Sequence, residues 1–275
     1  ARAVAAAGQA RRARIGAHEG RPAAASRPPA AAAAAADGVA LGQNACGLVG
    51  DVAARRLVDQ HELRAGFIRK VYGILSAQLL LTCAVAAFMM SSKSVSAFVL
   101  KNTSWIQWVV IVPMFLLLFK LMSAKDEYPL NMQLLFGFTG IMSFNIGTVC
   151  VIYQEAGLGS LILEAALTTA ITFLALIAFA CQSRYDYTVF NGMLLTVLSS
   201  MIVYSFFCMI FGFSPGILYS WLGCLVFCAF VVVDTQKIMT KFGYDDYIIA
   251  AIELYLDILN LFLFILQILA SGSRD

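Results

Sequence analysis

The chain alternates between long, uncharged apolar stretches and short polar segments that carry most of its charges. A membrane-spanning helix needs about 20 consecutive, mainly apolar residues, so each of the first four stretches can hold one span. The fifth can hold two, because the Pro and Gly residues of "FGFSPG" at 211–216 indicate a turn in its middle. The uncharged stretches cover 71–92, 102–119, 128–154, 165–183 and 187–233.

A further span follows in "DDYIIAAIELYLDILNLFLFILQIL" at 245–269. The pattern therefore predicts an all-α membrane protein, folded as a seven-transmembrane-helix bundle. A transmembrane barrel is disfavoured, because its strands would alternate apolar and polar residues over about ten positions. The helices are predicted near 67–91, 105–122, 131–153, 157–180, 188–211, 216–238 and 247–270.

Composition and charge agree with a membrane protein. Of the 275 residues, 61% are hydrophobic and 13% charged, whereas soluble domains contain about 25% charged residues. Lys and Arg near span ends favour the cytosolic face, and here they predict a cytosolic N-terminus. The basic residues on the face predicted to be cytosolic are Arg55, Arg56, Arg64, Arg69, Lys70, Lys120, Lys125, Arg184, Lys237 and Lys241. Those on the opposite face are Lys93, Lys101 and Arg274.

The first 60 residues differ in composition from the rest of the chain. They are rich in Ala and Arg, include a polyalanine run at 30–36 and contain few acidic residues. We predict that residues 1–60 form a low-complexity, disordered cytosolic tail and that residues 61–275 form the membrane domain. An Arg-rich, acid-poor leader is also typical of organelle transit sequences. A translation artefact is a third interpretation, since the first Met is Met89.

The seventh predicted span carries a polar stripe within an apolar helix. At about 100° per residue, Glu253, Asp257, Asn260 and Gln267 fall on one face, with Phe264 between them. A polar stripe in lipid must face protein or water. Hydrogen bonding between helices, worth about 0.6–2 kcal/mol per bond, would explain Asn and Gln. It explains the two carboxylic acids poorly, because amides would do the same without an ionisation cost.

Asp234, near the end of the sixth span, is a second candidate. Taken alone, it fits an ordinary interfacial carboxylate beside Lys237, three residues later. A short connection between spans six and seven, however, brings Asp234 close to Asp257 in an antiparallel helix pair. Two close carboxylates cannot both ionise cheaply, so the pair either keeps a proton or accepts a cation. Ca²⁺, which prefers oxygen ligands, is the candidate metal for these two aspartates.

Two further side chains are candidates for a polar path across the membrane. Glu164 lies within the fourth span, and an inward orientation would extend a line of carboxylates through Asp257 to Asp234. A hydrogen bond to a neighbouring helix is an equally good interpretation of Glu164. Lys120 fits a snorkelling lysine at the end of span two, and pairing with Asp234 is its alternative role.

Several enzyme classes lack their required residues. No His follows His61, so the bundle offers no His-based catalytic pair and no His-rich zinc site. Nucleotide-binding glycine patterns are also absent. An intramembrane aspartyl protease would place two Asp on adjacent spans, but its Tyr-Asp and Gly-x-Gly-Asp motifs do not match "VVVD" and "YLD". We predict a protein that is not an enzyme and has no cofactor.

Four segments resemble the BAX inhibitor motif family, and most closely the plant-type members of its Lifeguard branch. They are "RAGFIRKVYGILSAQLLLT" (64–82), "YPLNMQLLFGFTGIMSFNIGT" (128–148), "VVVDTQKIM" (231–239) and "YDDYIIAAIELYLDILNLFLFILQIL" (244–269). The resemblance implies a seven-helix bundle with the last helix central, residence in the endoplasmic reticulum or Golgi, and a pH-sensitive calcium leak that restrains cell death. It also implies that Asp234 and Asp257 form the pH-sensing pair.

The sequence therefore supports two possible functions. The first is a calcium-permeable, proton-regulated leak channel gated by Asp234 and Asp257, with membrane lipid, Ca²⁺ and protons as partners and no nucleic acid. The second is a non-conducting adaptor that binds cell-death regulatory membrane proteins, its acidic residues serving only in packing. Liposome flux distinguishes the two, because an adaptor alone conducts nothing.

Overall fold

A computed structural model describes residues 30–124 and 127–273 of the chain. The described residues up to Val58 and those from Asp59 onward belong to two separate compact units. The disordered tail predicted for residues 1–60 stays a prediction for residues 1–29, which lie outside the described part, whereas residues 30–58 are helical.

The described residues form helices and turns and contain no strand, which confirms the predicted all-α class. A π-helical turn, Gln154–Leu158, follows the third helix, and a 3₁₀ turn, Tyr187–Phe190, precedes the fifth. The long helices are α1 (Ala30–Ser91), α2 (Lys93–Ser123), α3 (Leu130–Tyr153), α4 (Gly159–Gln182), α5 (Asn191–Phe211), α6 (Ile217–Thr240) and α7 (Tyr247–Gly272).

Within the described residues, five helical segments are long and apolar enough to cross a membrane. A sixth is α2, if its two arms, which meet at 94°, count as one span. The segment Leu130–Gln182 is 53 residues long and breaks at Gly157, whose φ of 81° lies in the left-handed region that favours glycine. It therefore supplies two spans, α3 and α4, and the seven predicted spans correspond to the seven long helices. The five segments are Val58–Ser91, Leu130–Gln182, Tyr187–Phe211, Ile217–Thr240 and Tyr247–Gly272.

The last helix is the centre of the bundle, as the resemblance implied. In the most apolar stretch of α7, 61% of residues are buried, compared with 50% in α6 and 17% in the segment containing α5. The helix packs against α6 and α4, and more narrowly against α3. Gly223 allows the closest approach, because a side chain there would collide with the Phe264 ring of α7.

A buried hydrogen-bond network also ties α7 to the first and third helices. The hydroxyl of Tyr255 lies 2.8 Å from Oγ1 of Thr82, which lies 3.1 Å from the hydroxyl of Ser143. One turn earlier on α1, Gln78 donates to Thr139 of α3 at 3.0 Å. Because these polar groups bind each other away from water, the network specifies how α1, α3 and α7 dock.

Candidate functional site

The candidate site is a cavity of about 840 Å³ inside the helix bundle. Helices α2, α3, α5, α6 and α7 all contribute to its wall. From α7 the wall receives the face that carries Glu253, Asp257, Asn260, Phe264 and Gln267. The structure thus turns the polar stripe of the seventh span toward the protein interior, where its cost in a membrane is lowest.

Asp234 of α6 and Asp257 of α7 meet in this cavity. Residues 241–246 are the short connection between the two helices, so α6 and α7 run antiparallel and bring the two acids to the same depth. The residues are only 3% and 5% exposed, and their carboxyl groups lie close enough to interact directly. Two carboxyl groups can share a hydrogen bond only when one of them carries a proton. Oδ2 of Asp257 is buried and accepts no hydrogen bond from a donor in the described part of the chain.

Lys237 is the basic partner of the acidic cluster. Its ammonium nitrogen lies 2.8 Å from Oδ1 of Asp234 and 3.5 Å from Oε2 of Glu253. The alternative pairing of Asp234 with Lys120 is wrong: Lys120 is exposed near the end of α2, a helix that packs chiefly on α3. The i, i+3 spacing on α6 brings Lys237 onto the same face as Asp234 instead.

Glu164 does not join the cluster. It is exposed and lies outside the cavity wall, because α4 turns the neighbouring face that carries Ala165, Thr169 and Phe173 into the core. Glu164 therefore does not extend the line of carboxylates from Asp234 and Asp257 toward the opposite side of the membrane.

The amides of the α7 stripe have different roles. Gln267 accepts a hydrogen bond from Ser220 of α6 at 3.0 Å, which is the helix-joining role considered for it from the sequence. Asn260 donates to the carbonyl of Leu256 in its own helix at 2.8 Å. Its side chain lines the cavity one turn beyond Asp257.

One supporting residue, Gln236, was missed in the sequence. Its amide donates to the carbonyl of Tyr185 at 2.9 Å and accepts from the N–H of Tyr187 at 2.7 Å. This attaches the connection between α4 and α5 to α6, two residues beyond Asp234. The available signal was a Gln two residues after Asp234, close to the end of a long uncharged run, where a buried amide requires partners.

The site offers a metal ion few ligands. Within the residues that the structure describes, no group of three or more acidic, His or Cys side chains could hold one. A resident Ca²⁺ takes six to eight oxygen ligands, whereas the cluster contributes two facing aspartates. The carboxylate pair is therefore better suited to brief contact with a passing cation than to tight binding, and the calcium prediction stays a prediction.

Comparison with known proteins identifies the family. Residues 64–274 match the family model described as "Inhibitor of apoptosis-promoting Bax1". The chain belongs to this family. Both Asp234 and Asp257 lie within the matched range, so the cavity of this BAX inhibitor family member is part of its family domain.

Relatives from plants, animals and viruses cover most of the chain. It is 38% identical to a BI1-like protein of Arabidopsis thaliana over 220 residues, or 78% of this chain and 84% of the relative. Protein lifeguard 4 of Mus musculus is 35% identical over 77% of this chain and 87% of its own length. The Golgi anti-apoptotic protein of Vaccinia virus (strain Lister) is 33% identical over 77% and 88%.

Proposed function

We propose that this protein suppresses programmed cell death from an internal membrane, and that it does so as a calcium leak regulated by the Asp234–Asp257 pair. The first part is supported by the family description and by the name of the viral relative, a Golgi anti-apoptotic protein. That name also supports the Golgi, or a neighbouring endomembrane such as the endoplasmic reticulum, as the location. A fluorescent fusion expressed at low level, imaged against organelle markers, tests the location.

The observation that carries the second part is the buried carboxyl pair in the wall of a cavity. Two carboxyl groups this close can be joined by a hydrogen bond only while one of them holds a proton. When that proton leaves, two negative charges face each other across α6 and α7. Either the helices move apart or a cation enters between the carboxylates, and both responses change how the cavity conducts.

Lys237 and Glu253 adjust the charge of this site. The ammonium group of Lys237 balances one carboxylate of the cluster. The cluster therefore keeps a net negative charge that attracts an incoming Ca²⁺. The ion can enter without displacing all of the contacts between these residues. The predicted cytosolic N-terminus places this cluster at the cytosolic half of the bundle, and a glycosylation acceptor in the α6–α7 connection tests that orientation by remaining unmodified.

Calcium flux into liposomes tests the mechanism. Purified protein is reconstituted around a trapped calcium dye, and the initial rate is measured between pH 5 and pH 8. We expect Asp234→Asn and Asp257→Asn to change the rate and abolish its pH response, while Glu164→Gln, an acid outside the cavity, leaves both as in the wild type. Unchanged flux and pH response in both Asp variants would sink the mechanism. Absence of any flux in the wild type would instead support the adaptor.

A further inference from the structure

The carboxyl pair occupies only one end of the cavity. The rest is an apolar arm formed largely by one face of α5, with Leu195, Leu198 and Ile202 spaced at three to four residues, and by Phe115 of α2. An ion leak needs little of this apolar space. The arm is therefore suited to a ligand with a hydrocarbon part.

The arm opens toward the region of the membrane. Helix α2 packs chiefly on α3 and α5 chiefly on α6, and both α2 and α5 line the cavity. Side chains that line the gap between them are also exposed at the surface of the bundle: Phe115 is 49% exposed and Ile202 60% exposed. Both lie inside long apolar helices, so these exposed side chains are suited to contact with hydrocarbon. A molecule dissolved in the bilayer can reach the cavity by this gap.

The polar end of the cavity selects for positive charge. Three carboxyl groups, those of Asp234, Glu253 and Asp257, face a single ammonium group, that of Lys237. Even when the two aspartates share a proton, the cluster keeps one negative charge. Oδ2 of Asp257 is buried and accepts no hydrogen bond from a donor among the described residues, so it is an acceptor available to a donor that enters the cavity.

We propose that this cavity binds a single-chain amphiphile with a primary amine head group, drawn from the membrane. Its ammonium group donates hydrogen bonds to Asp257 and balances the remaining charge of the cluster, while its alkyl chain lies along the arm between α2 and α5. A volume of about 840 Å³ falls within the roughly 300–1,000 Å³ of small-molecule sites. The site shares its aspartates with the proposed leak, but binding holds whether or not ions pass.

The head group decides the selectivity. An amine and an alcohol of equal chain length both move from the bilayer into the apolar arm. Their alkyl chains therefore contribute equally to the binding free energy. The amine adds a charge-assisted hydrogen bond, which corresponds to about a tenfold to hundredfold higher affinity. A neutral lipid that merely filled a gap between helices would show no such difference.

Photolabelling tests the inference on the full chain in phosphatidylcholine nanodiscs. The probe is a C16 chain with a mid-chain diazirine and either an amine or a hydroxyl head, and labelled peptides are identified by mass spectrometry. We expect the amine probe to label peptides of α2 and α5, with unlabelled hexadecylamine competing about tenfold or more better than hexadecanol. Equal competition by amine and alcohol in the wild type would overturn the proposal.

Three variants locate the binding. Asp257→Asn should remove the advantage of the amine, Leu198→Trp should fill the arm and reduce labelling by both probes, and Glu164→Gln should change neither. Labelling that Leu198→Trp leaves intact would show lipid around the bundle rather than a ligand in the cavity, and would also overturn the proposal. Should Asp257→Asn fail to fold, Leu198→Trp and the head-group comparison in the wild type still decide. None of these readouts measures ion flux, so they can fail independently of the proposed leak.

Discussion

The ammonium nitrogen of Lys237 lies 2.8 Å from Oδ1 of Asp234, one turn away on the same face of α6. The lysine side chain is 17% exposed and the aspartate side chain 4%, so the pair is largely withdrawn from water. Breaking a buried ion pair by removing one partner costs about 3–5 kcal/mol, because a buried charge is left without compensation. The partial exposure of the lysine reduces that cost.

Removing this ammonium group should therefore destabilise the bundle. We expect Lys237→Met to lower the free energy of unfolding by about 1–3 kcal/mol and Lys237→Arg to restore most of the loss, measured by thermal unfolding in detergent. Lys241→Met is the matched control, since Lys241 and its partner Asp186 are 56% and 53% exposed and such surface pairs contribute about 0–1 kcal/mol. Equal losses in the two Met variants would contradict a buried role for Lys237.

The contact between Gly223 and Phe264 should not tolerate a methyl group. A Cβ at position 223 would fall on the aromatic ring, and overpacking typically costs about 1–3 kcal/mol. We expect Gly223→Ala to lower the midpoint of thermal unfolding in detergent. Gly140→Ala is the control, because that helical glycine has open space around it and Ala favours a helix over Gly by about 0.5–1 kcal/mol. A control that destabilises as much as Gly223→Ala would refute the close-packing explanation.

The Tyr255–Thr82 hydrogen bond should contribute to stability as a coupled pair. Tyr255 is completely buried, and its hydroxyl lies 2.8 Å from that of Thr82. We expect Tyr255→Phe and Thr82→Val to cost about 1 kcal/mol or more each, with the double variant losing less than the sum. A double-mutant cycle in detergent measures this coupling. Additive losses would indicate that the two hydroxyls act independently.

Asp186, in the connection before α5, should titrate at low pH. The hydroxyl and the backbone N–H of Thr188 donate to its Oδ1, and these hydrogen bonds lower the pKa of the Asp186 carboxyl below its usual value of about 3.9. A lowered pKa stabilises the folded protein above that usual value, and this contribution disappears as the pH falls through the pKa of the folded state. We expect Thr188→Val to raise the pKa of Asp186, measured by carboxyl ¹³C NMR with Asp186→Asn identifying the signal.

The same carboxyl provides a control for flux. From pH 5 to pH 8 Asp186 is ionised in both the folded and the unfolded protein, so its titration makes no contribution there. Asp186→Asn should therefore leave the pH response of calcium flux unchanged. A weaker pH response of calcium flux in this variant would show that the pH sensor is not the buried pair.

The sequence was sufficient for the number and order of the helices, because a membrane requires each span to be long and uncharged. It also indicated that Glu253, Asp257 and Asn260 share a face, since helical spacing alone determines that. The stripe could be assigned an inward orientation because carboxylates facing lipid are costly. These inferences rest on properties of single helices.

Properties that depend on how helices rotate against each other could not be obtained in the same way. Helix α4 has apolar residues on every side, and its few polar residues do not define one polar face, so nothing in its pattern showed that Ala165 would face the core and Glu164 would not. The choice between Lys120 and Lys237 as partner of Asp234 required the position of α2 in the bundle. Likewise, the arm of the cavity between α2 and α5 is a gap between elements, and no single stretch of sequence encodes it.

The central position of α7 bears on biogenesis. This helix follows the other six in the chain, so it leaves the ribosome after they have entered the membrane. Until then the surface of α7 that covers three polar side chains in the finished bundle is missing. These side chains are Asp234 of α6, Thr82 of α1 and Ser143 of α3. A chain halted in the α6–α7 connection would keep these polar groups uncovered, and membrane-protein quality control could recognise it by them.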